Sequence, residues 1–401
     1  MDRHNFPMIT RSLFARMAGF MLLFNVAAAF AQEPLIVDHR CTKVEAIPSY
    51  WIEQAKLLTI HYAHTSHGSQ ITTGAQCLED LDPTYSFARR ASTTEGLPPV
   101  EDPPALRMYD GNPPETYITP EDYWATEDGK TRTRAVAATG NYDFSMWSWC
   151  GQQSSNSEET TQDYIDTLAQ FETEFPSMRF IYMTGHTDGS GEEGNLHQRN
   201  NQVRDYCIAN NKVLFDFADI ESYNPDWDYF LDRGCDDYCN YDGGNWATEW
   251  CDANPGSDLC LSCSCAHSLA PNCNLKGRAF WWMMARLAGW EGTAPADFDW
   301  DGDVDMDDFA HFSSCFTGPG GQSGEGCAQD DLDADGDVDC DDWDQFQQAW
   351  TGGGDPPEFE PCAEDVPTIS EWGLIAMTVL LLIAGTLAIA ARRSRNPGVS
   401  D

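Results

Sequence analysis

The chain has 401 residues, with 65 Asp and Glu against 23 Lys and Arg, which gives a formal net charge of −42. This length exceeds one typical domain and predicts a principal domain with smaller modules. A surface that binds nucleic-acid phosphates needs clustered Lys and Arg, so the charge excludes a nucleic-acid partner.

The N-terminus has the pattern of a secretory signal peptide. Arg3, Arg11 and Arg16 flank the start of an apolar run over residues 17–30, and Ala-Phe-Ala at 29–31 matches the small-x-small cleavage pattern. The sequence therefore predicts a signal peptide over residues 1–31 and an exported protein. A single N-terminal membrane anchor is the alternative, and the short apolar run favours the signal peptide.

All fifteen cysteines lie between Cys41 and Cys362, after this segment. In an oxidising compartment, cysteines in such numbers favour disulfides over thiolate metal sites. An odd number leaves at least one thiol without an intramolecular partner. The seven cysteines of residues 235–273 are interpreted as disulfide partners, with a zinc site as the alternative.

Residues 35–292 alternate strand-like and helix-like patterns, which predicts an α/β domain. In such sheets, active residues gather at the C-terminal ends of the strands. The predicted strands are 57–63, 144–149, 178–183 and 213–218, and the predicted helices are 158–175, 195–210 and 275–290.

Polar residues that suit acyl transfer follow the first strand and precede the last helix. Ser66 stands in His64-Thr-Ser66 after the strand, and His267 lies shortly before the helix. This order resembles the SGNH, or GDSL, hydrolases. The resemblance implies a three-layer, flavodoxin-like α/β fold, with Ser66 as nucleophile and His267 as general base.

The oxyanion donors that this resemblance implies are Gly140, Gly151 and Gln152, placed by the order of elements. Local sequence similarity to the family's Gly-x-Asn-Asp motif favours residues 185–188 instead. The chain departs from the family because it has His-Thr-Ser for Gly-Asp-Ser, no clear Asn donor, and Ser264 where the usual triad Asp stands.

Two other interpretations of these residues stay open. Ser66 can cap a helix and His267 can be a polar loop residue in a non-catalytic domain. A zinc site is the second alternative, and it is less favoured because His61 lies inside a strand. Its candidate ligands are His61, His64, His67, His186, Asp188 and His197. The Pro- and Tyr-rich stretch 80–143 predicts an insertion above the strand ends, whose aromatic rings suit a polysaccharide.

Residues 297–308 and 331–342 form an acidic repeat whose copies begin 34 residues apart. Each copy has Asp at positions 1, 3, 5, 7, 9 and 12 and Gly at position 6, the pattern of a calcium loop. The predicted ligands are Asp297, Asp299, Asp301, Asp303, Asp305, Asp308, Asp331, Asp333, Asp335, Asp337, Asp339 and Asp342. The helix after each loop repeats three aromatic positions, which an acidic linker would not do.

A calcium loop followed by one helix, with Asp at position 12, resembles the dockerin family over residues 295–353. The resemblance implies a small all-α, EF-hand-like module that binds two Ca²⁺ ions and has a cohesin-like protein as candidate partner. A calcium-dependent stalk with no such partner is the alternative. Cys315 and Cys327 are predicted to close the Gly-rich connection between the copies, and Cys340 is the candidate unpaired thiol.

The C-terminus has the pattern of a sorting signal. Residues 373–391 are uncharged and predict a transmembrane helix, and Arg392 and Arg393 keep the tail in the cytoplasm. Residues 366–373 resemble the Ile-Pro-Thr-Leu-x-x-Trp-Gly signal of exosortase-type tails, after a linker over 354–365. This resemblance implies that a sorting peptidase recognises residues 366–395 and moves the protein from the cytoplasmic membrane to the cell surface. A permanent anchor is the alternative.

The sequence thus predicts a secreted or surface-displayed SGNH-like hydrolase, an esterase acting on acylated polysaccharide, joined to a calcium-binding module. The alternative function is a non-catalytic, calcium-stabilised cell-surface protein with a binding or structural role.

Overall fold

The computed structural model describes residues 33–322, 324, 327, 329–333 and 335–362. The predicted signal peptide over 1–31 and the predicted sorting segment over 366–395 lie outside the described residues.

Seven strands of the described chain form one parallel sheet in the order β1-β7-β6-β5-β2-β4-β3. The strands are β1 (Leu35–Val37), β2 (Thr59–His64), β3 (Phe87–Ala91), β4 (Leu106–Asp110), β5 (Phe144–Ser148), β6 (Arg179–Met183) and β7 (Val213–Phe215). Every residue of the central strands β2 and β5 is buried, so both faces of the sheet are covered, as a parallel sheet requires.

Helices cover the two faces. The helices of the α/β domain are α1 (Ser49–Ala55), α2 (Ser69–Leu81), α3 (Pro120–Tyr123), α4 (Glu127–Ala137), α5 (Glu158–Glu174), α6 (Asn195–Ala209), α7 (Phe217–Ser222), α8 (Trp246–Ala253) and α9 (Ala270–Leu287). A hairpin of β8 (Asn240–Tyr241) and β9 (Gly244–Asn245) precedes α8. Helix α2 packs on α9, and α5 packs on α6.

Two glycines let α2 and α9 touch backbone to backbone. A Cβ atom at Gly74 would lie 1.9 Å from the carbonyl oxygen of Cys273, and one at Gly277 would lie 2.1 Å from the carbonyl carbon of Gly74. Only glycine fits at such a crossing. The crossing fixes the loop before α9 beside the turn that precedes α2.

The order of the strands reverses between β2 and β5. From β2 the chain passes to β3 and β4 on one side, and it returns to β5 on the other side. Ligand sites of open α/β sheets lie at such a reversal.

A second hydrophobic core lies in the acidic module, which holds helices α10 (Met306–Cys315) and α11 (Cys340–Ala349). Its fully buried members include Phe312 and Phe346, which occupy equivalent positions of the two copies. The repeated aromatics thus form the interior of the module.

The predicted α/β class is correct, and the structure adds that the sheet is parallel. The predicted fold class also included a transmembrane helix, and this part is corrected. No helix of the described residues is long and apolar enough to cross a membrane. Residues 373–391, on which the prediction fell, lie outside the described part of the chain. Hydropathy and the basic residues after the apolar run carried the prediction, without any packing information.

The disulfides confirm one prediction and correct another. The Cys315–Cys327 bond closes the Gly-rich connection as predicted, whereas Cys340 is bonded to Cys362 and is not the unpaired thiol. The other bonds are Cys77–Cys263, Cys251–Cys260 and Cys265–Cys273. Five cysteines are free: Cys41, Cys150, Cys207, Cys235 and Cys239.

Candidate active site

The ends of β2 and β5 bring three reactive side chains together. Strand β2 ends at His64, which pairs with Ser148 at the end of β5. Ser66 and His67 follow β2, and Cys150 follows β5. Their side chains therefore meet where the strand order of the sheet reverses. The turn after β2 is tight, because a Cβ atom at Gly68 would lie 2.4 Å from the Cβ atom of His64.

Cys150, His67 and Asp237 form a hydrogen-bonded chain. His67 Nδ1 lies 2.9 Å from Cys150 Sγ, and His67 Nε2 lies 2.9 Å from Asp237 Oδ2. His67 is 5% exposed, whereas Cys150 is half-buried and accessible. A nucleophile, a base and a residue that orients the base stand in this relation in triad hydrolases.

The electrostatics favour a charged Cys150–His67 pair. Burial raises the pKa of the Cys150 thiol, but hydrogen bonds from His67 and Ser66 outweigh it and lower the pKa to about 5. Burial lowers the pKa of His67, but the hydrogen bonds to Asp237 and Cys150 outweigh it and raise the pKa to about 9. At neutral pH the pair is therefore a thiolate and an imidazolium, the reactive form of a cysteine nucleophile.

Two further imidazoles stack on His67. The rings of His67 and His186 are nearly parallel, with centroids 3.9 Å apart, and the ring of His267 lies 4.5 Å from that of His67. His267 holds a left-handed φ of 57°, which is uncommon for a residue with a side chain. The stack restricts the His67 ring to the plane that joins Cys150 to Asp237.

A buried ion pair supports both stacked loops. Lys276 and Glu221 have fully buried side chains 2.5 Å apart, and Glu221 also accepts a hydrogen bond from the backbone of Thr187, next to His186. Lys276 donates to Gln70, whose amide donates to the carbonyl of Ala266, next to His267. Buried charges that are fully paired in this way fix their neighbours in place.

The structure brings most of the predicted catalytic residues to this site. Ser66 Oγ lies 3.5 Å from Cys150 Sγ. The imidazole in contact with this sulfur is that of His67, and the predicted base His267 stacks on the ring of His67 instead. Gln152 accepts a hydrogen bond of 2.9 Å from the backbone N–H of Cys150, and Gly151 lies between them.

Gly140 is not brought to the site. It follows α4 and precedes β5 by four residues, and its φ is 66°. It therefore lies near the amino end of β5, at the edge of the sheet opposite to Cys150. The predicted role depended on an order of elements that cannot tell the two edges apart.

The zinc alternative does not fit the geometry of these side chains. His67, His186 and Asp237 have ligand atoms within 4.8 Å of one another, but both ring nitrogens of His67 are engaged by Cys150 and Asp237. An imidazole binds a metal through an in-plane lone pair, and two face-to-face rings do not direct their lone pairs to one ion.

Three of the other predicted zinc ligands have separate partners. His61 is enclosed in the sheet by Ser145 and Gly111, and His64 lies 3.2 Å from Asp110. Asp188 accepts hydrogen bonds from Ser190. The zinc alternative at residues 235–273 fails as well, because five of these cysteines are in disulfides.

Sequence reasoning missed Cys150, His67 and Asp237 as an interacting set. One signal was available, because Cys150 directly follows the strand-like 144–149 and an odd cysteine count leaves a free thiol. Asp237 had no signal, since it comes from a loop that only the tertiary structure places beside His67.

The two acidic loops have the same internal hydrogen bonds. Asp297 accepts from the backbone of Asp301 and Gly302, and Asp308 accepts from Phe298 and Asp305. The second loop repeats these contacts with Asp331 as acceptor from Asp335 and Gly336, and with Asp342 as acceptor from Leu332 and Asp339. Gly302 and Gly336 at position 6 have φ of 104° and 101°.

Carboxylates crowd each loop without a cationic partner inside it. Burial and the neighbouring carboxylates Asp308, Asp299 and Asp301 raise the pKa of Asp297 to about 7, despite a hydrogen bond from Gly302. Carboxylates held together at this density suit a hard cation with oxygen ligands.

Comparison of the chain with protein-family models, with curated proteins and with solved structures finds no match.

Proposed function

We propose that the α/β domain is a thiol-dependent acyl hydrolase in which Cys150 is the nucleophile. The observation that carries this proposal is the continuous chain from Cys150 Sγ through His67 to Asp237, with 2.9 Å at both steps. The pKa of about 5 for Cys150 supports it, because a thiolate is present at neutral pH. The SGNH resemblance assigned the same reaction class to Ser66.

In this mechanism the Cys150 thiolate attacks the carbonyl carbon of an ester, and a C–S bond forms. As the C–O bond breaks, the leaving alkoxide takes the proton from His67 Nδ1. Neutral His67 then removes a proton from water, which attacks the thioester and releases the acid and the thiolate. Asp237 keeps the Nε2 proton of His67 in place and stabilises the imidazolium.

Ser66 and Gln152 assist this reaction. Ser66 donates to the thiolate and helps to keep it ionised. The side-chain oxygen of Gln152 accepts from the N–H of Cys150. The NH₂ group of the same amide can therefore donate to the carbonyl oxygen of the substrate ester, which becomes negative during the attack.

The substrate we propose is an acylated polysaccharide. Two exposed tyrosines are neighbours in the chain of residues at the site: Tyr238 directly follows Asp237, and Tyr117 precedes Ile118, whose N–H donates to the carbonyl of His64 at the end of β2. Flat aromatic rings pack on sugar faces. The net charge of −42 disfavours anionic acyl donors and favours neutral esters.

The test is hydrolysis of p-nitrophenyl acetate by the mature protein. Cys150→Ser should lower kcat/KM by about 10³-fold or more, because a hydroxyl beside His67 is not ionised at neutral pH. Ser66→Ala should lower it by no more than about tenfold, since it removes one hydrogen bond to the sulfur.

Both variants should keep the wild-type circular dichroism and thermal midpoint. Loss of activity in Ser66→Ala with activity retained in Cys150→Ser would instead identify Ser66 as the nucleophile. No activity on a panel of acyl esters, in wild-type protein with intact disulfides and a free Cys150 thiol, would favour the non-catalytic alternative.

We also propose that the acidic module binds two Ca²⁺ ions, one in each loop. The observation that favours it is the same set of backbone-to-carboxylate hydrogen bonds within two loops whose sequences repeat. Here the ion would be held by side-chain oxygens of positions 1, 3, 5, 9 and 12 and by the backbone carbonyl of position 7.

Calorimetric titration of the chelator-treated mature protein with CaCl₂ should give two sites. Asp299→Asn with Asp301→Asn should leave one site, and the matched pair Asp333→Asn with Asp335→Asn should also leave one. MgCl₂ is the control, because Mg²⁺ requires a smaller octahedral shell. A stoichiometry that does not change in either double variant would contradict the assignment.

Export and a cohesin-like partner are also parts of this proposal. The five disulfides support an oxidising compartment. Recognition by an exosortase-type sorting peptidase depends on residues outside the described part of the chain.

A further inference from the structure

The first acidic loop faces two different cores. Phe298 points into the core of the acidic module, whereas Trp300, two residues later, packs against the core of the α/β domain. Trp300 stands between Asp299 and Asp301, which are positions 3 and 5 of the loop. Side chains on the two sides of one loop therefore connect the two parts of the protein.

The contacts of this loop on the α/β domain are specific. The ring of Trp300 stacks on that of Trp282 in α9, with centroids 5.5 Å apart, and the guanidinium of Arg40 lies 5.1 Å from the ring of Trp300. Arg40 is itself held by Asp38, at 2.6 Å. Two residues after Trp300, a Cβ atom at Gly302 would lie 3.2 Å from Cα of Ala46.

Among the described residues 331–333 and 335–342, the second loop has none of these contacts; the segment before it makes one, a hydrogen bond of 3.3 Å from Arg40 to Gln329. It has Ala334 in the sequence where the first loop has Trp300, and a Cβ atom at Gly336 would meet no atom within 4 Å. The two loops share their carboxylate contacts and differ in this docking surface. The difference provides a matched internal control.

We infer that the first calcium loop is the docking surface of the module on the α/β domain, so that Ca²⁺ in this loop orders residues 39–46 and the C-terminal half of α9. The inference rests on the proposed calcium sites. Trp300 has a left-handed φ of 60°, which is unfavourable for an aromatic residue in a free chain. An ion bound by Asp299 and Asp301 on either side holds that conformation and presents the ring to Trp282.

Hydrogen exchange followed by mass spectrometry on the full mature protein tests this inference. In the wild type, CaCl₂ should slow exchange in both loops, in residues 39–46 and in residues 280–287, by on the order of tenfold relative to chelator. The second-loop variant, Asp333→Asn with Asp335→Asn, should keep the protection of the α/β peptides. The first-loop variant, Asp299→Asn with Asp301→Asn, should lose it.

Trp300→Ala separates docking from ion binding. It should keep the calcium protection of residues 297–308 and lose that of residues 39–46 and 280–287. Equal protection of the α/β peptides in both loop variants, or unchanged protection in Trp300→Ala, would overturn the docking inference and leave the calcium sites intact. If CaCl₂ protects neither loop in the wild type, the calcium proposal fails and this inference fails with it.

Discussion

At the scale of single residues, the chemistry of the α/β domain depends on which sulfur and which imidazole meet. Cys150 is in contact with His67 and Ser66, whereas the other four free cysteines are buried. The hydrogen bonds of His67 lower the pKa of one thiol and raise the pKa of its own ring. Among the fifteen cysteines of the sequence, Cys150 is thus given a thiol pKa well below the ordinary value by its neighbours.

The rate at which iodoacetamide alkylates Cys150 should reflect both pKa values. The thiolate forms as the pH rises through about 5, so the rate should rise there and stay near its plateau at neutral pH. The alkylation rate should change a second time as His67 loses its proton through about pH 9. In His67→Asn the rise should move towards about pH 8.5, the ordinary value of a cysteine.

Peptide mass spectrometry assigns the alkylated residue, and the buried Cys207 is the internal control. A wild-type rise near pH 8.5, or a profile that His67→Asn leaves unchanged, would show that the two side chains do not form an ion pair in solution.

At the scale of elements, the contact of α2 with α9 positions the two loops that carry His67 and His267. The contact has no side chain at its centre, because Gly74 and Gly277 bring the two backbones together. The disulfide between Cys77 and Cys263 joins α2 to the segment that precedes His267. The site is therefore built on a rigid helix pair, which suits a geometry that must hold within a few tenths of an ångström.

Gly74→Ala should lower the free energy of unfolding by about 1–3 kcal/mol, because the new methyl group would lie 1.9 Å from the carbonyl oxygen of Cys273. Helix propensity alone predicts the opposite sign, a gain of up to about 1 kcal/mol. Urea denaturation measures the change, and Gln76→Ala at an exposed position of the same helix is the control. A more stable Gly74→Ala protein would mean that the helices are farther apart than described.

At the scale of the whole molecule, the cysteines divide into two classes. Ten of them form five bonds that staple loops in both parts of the protein, and of the five free thiols only that of Cys150 is not buried. The acidic charge is also unevenly distributed along the chain, because Asp residues are most densely spaced in the two loops of the module.

This division predicts the thiol count of the unreduced protein. Ellman's reagent should react rapidly with one thiol of the native protein, because the other four are enclosed in the core, and with five after denaturation in guanidinium chloride. In Cys150→Ser the native count should fall to zero and the denatured count to four. A native count above one would mean that the domain opens on the time scale of the assay.

The sequence by itself determined the α/β class, the acidic repeat and the position of Ser66 directly after a strand, because these features depend on local periodicity and spacing. Only the tertiary structure decided that Cys150 and Asp237 join His67, since the three come from different loops and their meeting follows from strand order and the α2–α9 contact. It also decided that Gly140 lies away from the site and that Cys340 is bonded. Residues remote in the chain combine through packing, and local spacing carries no information about that step.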